Sequence, residues 1–205
     1  LAPIVEMNPI LLKPTGNATS QVIIMGKPVT TMGAKEYHST FAPGAVKIVE
    51  EAAHKLAKDF EPLVIEGAGS PAEINLKDSD IVNMRVAKML NAPVLLVADI
   101  DRGGVIASLV GTMELLEPEE RDLVIGFIIN KFRGDVTLLQ PALDFLKEKT
   151  GKPVLGVIPH LPNLDIDDED SVSLDDKKSS GKDLDIAVMR LPKISNFTDF
   201  EALDA

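Results

Sequence analysis

Short apolar runs rich in β-branched residues alternate with amphipathic stretches of helical length from Pro62 onward. This alternation is typical of a parallel sheet whose strands are buried between layers of helices. The predicted strands are 63–66, 94–98, 124–130 and 154–158. The predicted helices are 79–90, with Ser79 as its N-cap, 103–116, which opens at Gly103, and 137–149, which ends before Gly151. The predicted fold class is therefore α/β, with a mostly parallel sheet flanked by helices.

Two further regions depart from this alternation. Before Pro62, short strands at 10–12 and 21–25 and a long amphipathic helix at 42–58 are predicted, which we interpret as an elaboration on the sheet. After Pro159 the periodicity stops in an acidic stretch rich in Asp, Ser and Lys. The predicted organisation is a structural core at 1–163, an acidic linker at 164–183 and the start of a second domain at 184–205.

The composition excludes several classes of function. A formal net charge of −11 and an aromatic content of 4 % argue against a nucleic-acid partner, which would require a basic face and stacking platforms. The apolar runs are far shorter than the roughly 18 residues of a membrane span, and no leader opens the sequence. We therefore expect a cytoplasmic protein with no membrane partner. Because the chain has no cysteine, thiolate metal sites and cysteine nucleophiles are excluded.

Polar residues follow three of the predicted strands at the point where each strand ends. Glu66 ends the first strand, and Gly67 and Gly69 come directly after it. In open α/β sheets ligands bind at the carboxyl edge of the strands, where a carboxylate can hold Mg²⁺ and glycines let a ligand approach the backbone. An ordinary glycine turn with an exposed glutamate is an equally good interpretation of this segment.

The second polar segment is Asp99-Ile100-Asp101-Arg102-Gly103-Gly104, which follows the strand at 94–98. A guanidinium such as that of Arg102 can grip carboxylates or phosphates, and helix N-termini attract anions. The alternative is a local ion pair between an aspartate and Arg102 that caps the helix.

The third polar segment contains Asn130, Lys131 and Arg133. The Asn130 amide can read an adenine edge, whereas solvated surface residues are the more common interpretation of Lys131 and Arg133. A polar loop at 73–83 can line a substrate cleft or merely cap the helix that follows. Three polar strand ends in succession locate the candidate site more specifically than any one of them.

Several chemical motifs are absent from the sequence. No G-x-x-x-x-G-K-S/T segment occurs in the 205 residues, so the sequence contains no phosphate-cradling loop of this type. The three histidines have no metal-ligand spacing, and no G-x-S-x-G nucleophile elbow is present. Zinc chemistry and a serine-type triad are therefore not expected.

Long segments of the chain resemble the cobyric acid synthase family. The resemblance is carried by EGAGSPAEINL at 66–76, DIVNM at 80–84, VADIDRGGV at 97–105 and INKFRGD at 129–135. The segments MNPILLKPT at 7–15 and ISNFTDF at 194–200 fit the same family, so the likeness spans the chain.

The resemblance implies a P-loop synthetase domain of the dethiobiotin-synthetase type at 1–163, with 184–205 as the start of a class I glutamine amidotransferase domain. The family's P-loop and its cysteine-dependent glutaminase would lie outside these 205 residues, so this segment alone is expected to be inactive. The family uses ATP and Mg²⁺, with glutamine-derived ammonia, to amidate the b, d, e and g carboxylates of adenosylcobyrinic acid a,c-diamide, a corrinoid.

The resemblance also implies roles for individual residues by their position in these segments. Glu66 is the implied metal ligand and Asn130 the implied adenine contact. The other cofactor-binding candidates are Gly67, Gly69 and Lys131, and the catalytic candidates are Asp99, Asp101 and Arg102. The substrate-binding candidates are Lys13, Asn75, Asp78, Asp80 and Asn83, although a structural role fits Lys13 equally well.

Three other functions compete with this interpretation. A sister amidase acting on the a and c carboxylates would share the fold and mechanism. A partition-type switch ATPase would bind a partner protein or DNA, and the acidic charge counts against DNA. A non-catalytic corrinoid-binding module would bind the corrinoid without binding nucleotide.

Overall fold

The computed structural model describes residues 2–16 and 19–162. Leu1–Leu161 form one compact unit. The predicted linker at 164–183 and the predicted second domain at 184–205 lie outside the described residues, so the domain boundaries stay predictions.

The described residues contain two sheets and six α-helices. The strands are β1 (Ile10–Gly16), β2 (Thr19–Ile24), β3 (Lys27–Gly33), β4 (Val94–Asp99), β5 (Val124–Phe132) and β6 (Val154–Pro159). The α-helices are α1 (Ala34–Glu36), α2 (Ala42–Asp59), α3 (Met84–Leu90), α4 (Val105–Leu115), α5 (Pro118–Leu123) and α6 (Gln140–Thr150). A π-helical turn at Tyr37–Phe41 joins α1 to α2, and 3₁₀ turns lie at Val5–Met7, Ile74–Ser79 and Val136–Leu139.

The C-terminal half of the described chain forms a parallel sheet in the order β4-β5-β6. Helices connect its strands, as parallel pairing requires. Its core contains Leu96 and Phe127 from the sheet, Leu109 from α4 and Leu146 from α6. Phe127 and Leu146 are fully buried, and burying a side chain of this size stabilises a fold by about 1.5–3 kcal/mol. The predicted strands at 94–98, 124–130 and 154–158 are confirmed.

The N-terminal strands form a separate antiparallel sheet in the order β1-β2-β3. Its fully buried Val22 packs in a second apolar cluster with Tyr37, with Ala42 and Ala45 at the start of α2, and with Ile81. The long predicted helix at 42–58 is confirmed by α2. The predicted elaboration on the parallel sheet is wrong, because among residues 2–16 and 19–162 the strands β1, β2 and β3 pair only with one another.

The predicted strand at 63–66 is also wrong. These residues are irregular in the structure, and Val64 is 89 % exposed. Among the described residues no strand pairs with this segment, and an extended backbone without a ladder partner is not a strand. The apolar run therefore has strand composition without strand pairing.

Two helix starts differ from the predictions. The first helix after the polar loop begins at Met84 rather than after Ser79, because a 3₁₀ turn occupies Ile74–Ser79. The helix predicted at 137–149 begins as a 3₁₀ turn and becomes α-helical only at Gln140. Its predicted end is confirmed, since Gly151 has the left-handed conformation typical of a helix C-cap.

One face of the parallel sheet is open. Leu95 and Val97 of β4 and Leu155 of β6 are exposed on it, with Val97 60 % exposed, whereas Leu96 points into the core. Gly126 lies beneath Leu155, because a Cβ at Gly126 would come within 2.7 Å of the Leu155 side chain. Within the described part of the chain, no helix has the length and apolar character needed to cross a membrane.

Candidate functional site

Two of the predicted polar strand ends meet at the carboxyl edge of the parallel sheet. Asp99, the last residue of β4, is the register partner of Asn130 in β5. The backbone continues this contact, because the Ile100 N–H donates to the Asn130 carbonyl oxygen at 3.1 Å. The parallel pairing of two consecutive strands thus brings together residues that are 31 positions apart in the sequence.

Two ion pairs cross this edge. Lys131 Nζ lies 2.8 Å from Asp99 Oδ2, and Arg133 Nε lies 3.0 Å from Asp101 Oδ1. All four side chains retain access to solvent. Lys131 and Arg133 are therefore not simply solvated: each is directed towards an aspartate of the neighbouring strand end. We call Asp99, Asp101, Asn130, Lys131 and Arg133 the strand-edge cluster.

The strand-edge cluster keeps Asp99 ionised. The Lys131 ammonium, and then the Asp101 backbone N–H at 2.9 Å from Asp99 Oδ1, hold the pKa of the Asp99 carboxyl below its ordinary value. Lys131 also adopts a positive φ of 60°, which is uncommon for a residue with a side chain. An exposed cluster of this kind presents both charges to a ligand that approaches the sheet edge.

Within the described residues, Arg102 does not form the local capping pair that was the alternative interpretation of this segment. The arginine that pairs with Asp101 is Arg133, and Arg102 contributes only a longer-range attraction to Asp99. Helix α4 begins after Gly103 and Gly104, both in the left-handed conformation, with no side-chain cap. The residue next in sequence was therefore the wrong partner, because the strand pairing brings Arg133 closer.

Asn83 holds the glycine-containing loop that follows Glu66. Its Nδ2 donates to the Ala68 carbonyl oxygen at 2.8 Å, and its Oδ1 accepts from the Ala68 N–H at 3.1 Å. A side-chain amide can satisfy a backbone donor and acceptor together in this way. The predicted substrate-binding residue Asn83 thus supports the loop directly.

The two hydrogen bonds between Asn83 and Ala68 require a glycine at position 67. A Cβ at Gly67 would come within 2.3 Å of Asn83 Oδ1, which is far inside van der Waals contact. Gly69 meets nothing within 4 Å but has a φ of +64°, a conformation that favours glycine. The packing of Asn83 and the local backbone explain both glycines without a ligand.

Asp80 folds the turn that leads into helix α3. Its Oδ1 accepts from the Val82 N–H at 2.8 Å and from the Asn83 N–H at 3.0 Å, and its Oδ2 lies 3.4 Å from the Arg85 N–H. These hydrogen bonds give Asp80 a structural role in the turn before the helix, which begins at Met84 with Asn83 at its N-cap.

A cavity of about 710 Å³ opens between this loop, helix α3 and the N-terminal sheet. We call it the cleft. Its apolar lining includes Leu12, Tyr37 and Ile81, and its charged lining includes Lys77 and Arg85. Asp80 and Asn83 line it as well, so these two predicted substrate-binding residues do lie at a cleft.

One wall of the cleft contains a buried carboxylate. Glu120, 3 % exposed, lies 3.0 Å from Lys77 Nζ and 3.3 Å from Lys88 Nζ and accepts the Glu117 N–H at 2.9 Å. Burial works to raise the pKa of Glu120, but these hydrogen bonds outweigh it and leave the pKa lowered. Lys77 belongs to the polar loop at 73–83, for which a substrate cleft was one interpretation, whereas Glu120 and Lys88 were not predicted to be functional. A capping-box pattern at 117–120 marks Glu120 as a helix residue only, and no local signal connects it to Lys77.

The remaining predicted residues lie apart from both groups. Lys13 is exposed on β1, and Asn75 is exposed in the 3₁₀ turn at Ile74–Ser79, which also includes Asp78. Glu66 is exposed and, within the described residues, has no hydrogen bond or ion pair to another side chain. Lys13, Asn75 and Glu66 are thus exposed residues outside the strand-edge cluster.

The described residues contain no group of three or more His, Asp or Glu side chains that could enclose a metal ion. Mg²⁺ does not require such a cage, because it usually retains waters and binds one or two carboxylates together with substrate phosphates. The exposed Glu66 carboxylate fits that donor set. Its role as a metal ligand stays a prediction.

Comparison with known proteins identifies the class. The chain belongs to the family described as an AAA domain, whose profile matches residues 28–167. This match, with the helix-flanked parallel sheet, confirms the predicted P-loop-type α/β fold class.

Particular relatives are similar over essentially the whole chain. A protein named cobyric acid synthase from Desulforamulus reducens is 60 % identical over 99 % of the chain. Proteins of the same name from Moorella thermoacetica and Dehalococcoides mccartyi are 62 % and 56 % identical over 100 % and 99 % of the chain. The chain spans about 40 % of the length of each relative. The resemblance to cobyric acid synthases is therefore confirmed. No solved structure gave a significant match.

Proposed function

We propose that this chain is the synthetase part of an ATP- and glutamine-dependent ligase that amidates corrinoid carboxylates in cobalamin biosynthesis. Its substrate would be adenosylcobyrinic acid a,c-diamide, with amidation at the b, d, e and g side chains. The observation that carries the proposal is an identity near 60 % to cobyric acid synthases along the entire chain. The similarity extends over the whole part of the chain that contains the strand-edge cluster and the loop after Glu66.

The complete protein would have to supply part of the chemistry. The chain spans about 40 % of its relatives, and it contains neither a cysteine nor a G-x-x-x-x-G-K-S/T segment. Glutamine hydrolysis by a cysteine nucleophile must therefore use residues outside these 205. Ammonia released there would be the partner substrate of the site on this chain.

The proposed reaction has two steps at each carboxylate. A carboxylate oxygen attacks the γ-phosphorus of ATP, the bond to ADP breaks, and an acyl phosphate forms. Ammonia then attacks the acyl carbon, phosphate leaves with the former carboxylate oxygen, and the nitrogen loses a proton to give the amide. Activation is needed because an ionised carboxylate is a poor electrophile, and cationic groups must offset the crowded negative charge.

The strand-edge cluster supplies suitable groups for that site. Ligands of open α/β sheets bind at the carboxyl edge of the strands, and membership of the AAA domain family supports a nucleotide as the ligand. Lys131 and Arg133 provide cations there, while Asp99 and Asp101 hold those cations in place in the absence of ligand. Asn130, beside Asp99, would contact the adenine, and Arg102 would help position phosphate.

Glu66 would hold Mg²⁺, with Gly67 and Gly69 beside it in the loop. When bound, the metal would neutralise phosphate charge at the sheet edge. No finding favours the sister amidase, the switch ATPase or the non-catalytic module, since the similar proteins named above are all cobyric acid synthases.

The test is amidation by the complete protein that carries this sequence, followed by mass spectrometry. With cobyrinic acid a,c-diamide, MgATP and glutamine, we expect four successive products, each with one OH replaced by NH₂. Glu66→Gln should impair Mg²⁺-dependent turnover while the protein stays folded. The matched control is Glu114→Gln, because Glu114 is also an exposed glutamate but lies on helix α4, away from the loop after Glu66. A folded, ATP-binding protein that forms no amide would refute the proposal.

A further inference from the structure

The wall of the cleft that contains Glu120 has an unusual charge arrangement. Two lysines, Lys77 and Lys88, converge on this one buried carboxylate. Lys77 Nζ also lies 3.0 Å from Glu117 Oε1. Lys77 is therefore held by Glu120 of helix α5 and by Glu117, the N-cap residue of that helix. All four residues line the cleft.

Lys77 is held but not saturated. An ammonium group has three N–H donors, and the carboxylates of Glu117 and Glu120 occupy two of them. The side chain of Lys77 is 29 % exposed and lines the cleft. Within the part of the chain that the structure describes, a third donor is therefore left for an acceptor that enters the cleft.

The position of Lys77 is well determined by its partners. Glu120 is fixed because its Oε2 also accepts the Glu117 backbone N–H, as part of the capping box of α5. The hydrogen bonds from Lys77 to Glu117 and Glu120 raise the pKa of Lys77, so its ammonium stays charged at neutral pH. A side chain held in this way loses little further entropy when it binds a ligand.

The rest of the cleft is suited to a large amphipathic ligand. Its apolar lining includes Leu12, Ile81 and Val82, and Arg85 adds a further exposed cation. A volume of about 710 Å³ is within the range of about 300–1,000 Å³ usual for ligand pockets. The lining also contains carboxylates, namely Glu73, Asp80, Glu117 and Glu120, and the last two pair with Lys77 and Lys88. The positive charge open to a ligand is therefore local, at Arg85 and at the remaining donor of Lys77. Beside an apolar wall, these two groups favour a ligand that has an apolar body and a peripheral carboxylate.

We infer that the cleft binds the carboxylate-bearing corrinoid substrate and that Lys77 donates its third hydrogen bond to a substrate carboxylate. Glu120 acts through Lys77 as a positioning residue. The identity of the ligand as a corrinoid rests on the proposed function, whereas the preference for a peripheral carboxylate rests on the cleft itself. The strand-edge cluster would then serve the nucleotide and the cleft the substrate.

The experiment uses the complete protein and two corrinoids that differ only in their carboxylates. Cobyrinic acid a,c-diamide retains the free carboxylates, and cobyric acid has four of them amidated. Affinities are measured by equilibrium dialysis for the wild type, Lys77→Met, Lys77→Arg and Glu120→Gln. Lys47→Met is the control, because Lys47 is an exposed lysine on helix α2 with a surface pair to Glu51. MgATP affinity is measured in parallel as a check on folding.

Lys77→Met should bind the a,c-diamide at least about tenfold more weakly than the wild type, because a hydrogen bond between charged groups is lost. Cobyric acid binding should change by less than about twofold, because an amide oxygen carries no charge to pair with the Lys77 ammonium and its hydrogen bond with Lys77 is weaker. Lys77→Arg should restore part of the preference for the a,c-diamide. In turnover, Glu120→Gln should raise the KM for the corrinoid while leaving the KM for ATP unchanged, a split that simple destabilisation would not produce.

Two results would overturn the inference. One is an unchanged a,c-diamide affinity in Lys77→Met, and the other is an equal loss for both corrinoids. If amidation proceeds while Lys77→Met binds normally, the proposed function stands and the cleft assignment fails. If no amidation occurs but the carboxylate preference still depends on Lys77, the cleft assignment stands and the proposed reaction fails.

Discussion

The contact between Gly67 and Asn83 leads to a sharp prediction about the loop that follows Glu66. Replacing Gly67 with alanine would place a Cβ 2.3 Å from Asn83 Oδ1, so the Asn83 amide must move away. That movement breaks both hydrogen bonds between Asn83 and Ala68. The loop should therefore open more often in Gly67→Ala.

The magnitude follows from the contacts that are lost. Two hydrogen bonds contribute about 0.5–1.5 kcal/mol each, and the lower half of that range applies because the loop is exposed. Replacing glycine with alanine restricts the unfolded chain and offsets about 0.4–1 kcal/mol of the loss. The net cost should be about 1 kcal/mol, which corresponds to roughly a fivefold increase in the open population.

Hydrogen exchange at the Ala68 amide measures this population directly, because that N–H donates to Asn83 Oδ1. Exchange should be several-fold faster in Gly67→Ala and in Asn83→Ala. The double variant should exchange no faster than Asn83→Ala alone, since both substitutions remove the same contact. Gly44→Ala is the control, because a Cβ there meets nothing within 4 Å. Additive effects of the two substitutions would show that Gly67 and Asn83 act independently and would refute the reasoning.

Two further predictions concern acid stability and the open sheet face. The folded pKa values of Asp99 and Glu120 lie below their ordinary values of 3.8 and 4.5, so their contribution to stability is complete above those values. This contribution to stability should be lost as the pH falls below about 4.5 and then through the lowered folded pKa values. Urea midpoints measured at decreasing pH should therefore fall, and midpoints that do not fall would contradict the prediction. The 205-residue chain alone should self-associate through its open sheet face, which sedimentation velocity would detect. Val97→Lys should reduce this self-association. Val136→Lys, at an exposed residue outside the sheet, should leave it unchanged. Monomers at every concentration would contradict the second prediction.

Local sequence was sufficient for most of the parallel sheet and its helices. Strands β4, β5 and β6 are continuous apolar runs, and Gly151 marks the end of α6, so composition and cap residues agree with the structure. The same reasoning was wrong at 63–66, because strand formation depends on a partner strand as well as on composition. It also missed β3 (Lys27–Gly33), whose exposed, polar residues lack the apolar alternation of a half-buried strand.

The candidate site divides in the same way. The meeting of Asp99 with Asn130 follows from the general geometry of parallel strands, so sequence reasoning could predict it. The partners of Lys131 and Arg133 could not be predicted, since the choice between solvent and an aspartate depends on side-chain distances at that edge. The pair of Lys77 with Glu120 had no sequence signal at all, because the two residues are 43 positions apart and lie on different elements.

The sequence by itself determined the fold class, the two polar strand ends after β4 and β5, and the resemblance to cobyric acid synthases. Each of these depends on residue type and order along the chain, which the amino-acid sequence contains in full. Only the tertiary structure decided that Asn83 holds the glycine loop, that Asp80 folds the turn before α3 and that Lys77 lines a cleft with one donor remaining. Those facts depend on distances between side chains from separate elements, and such distances are established only when the elements pack.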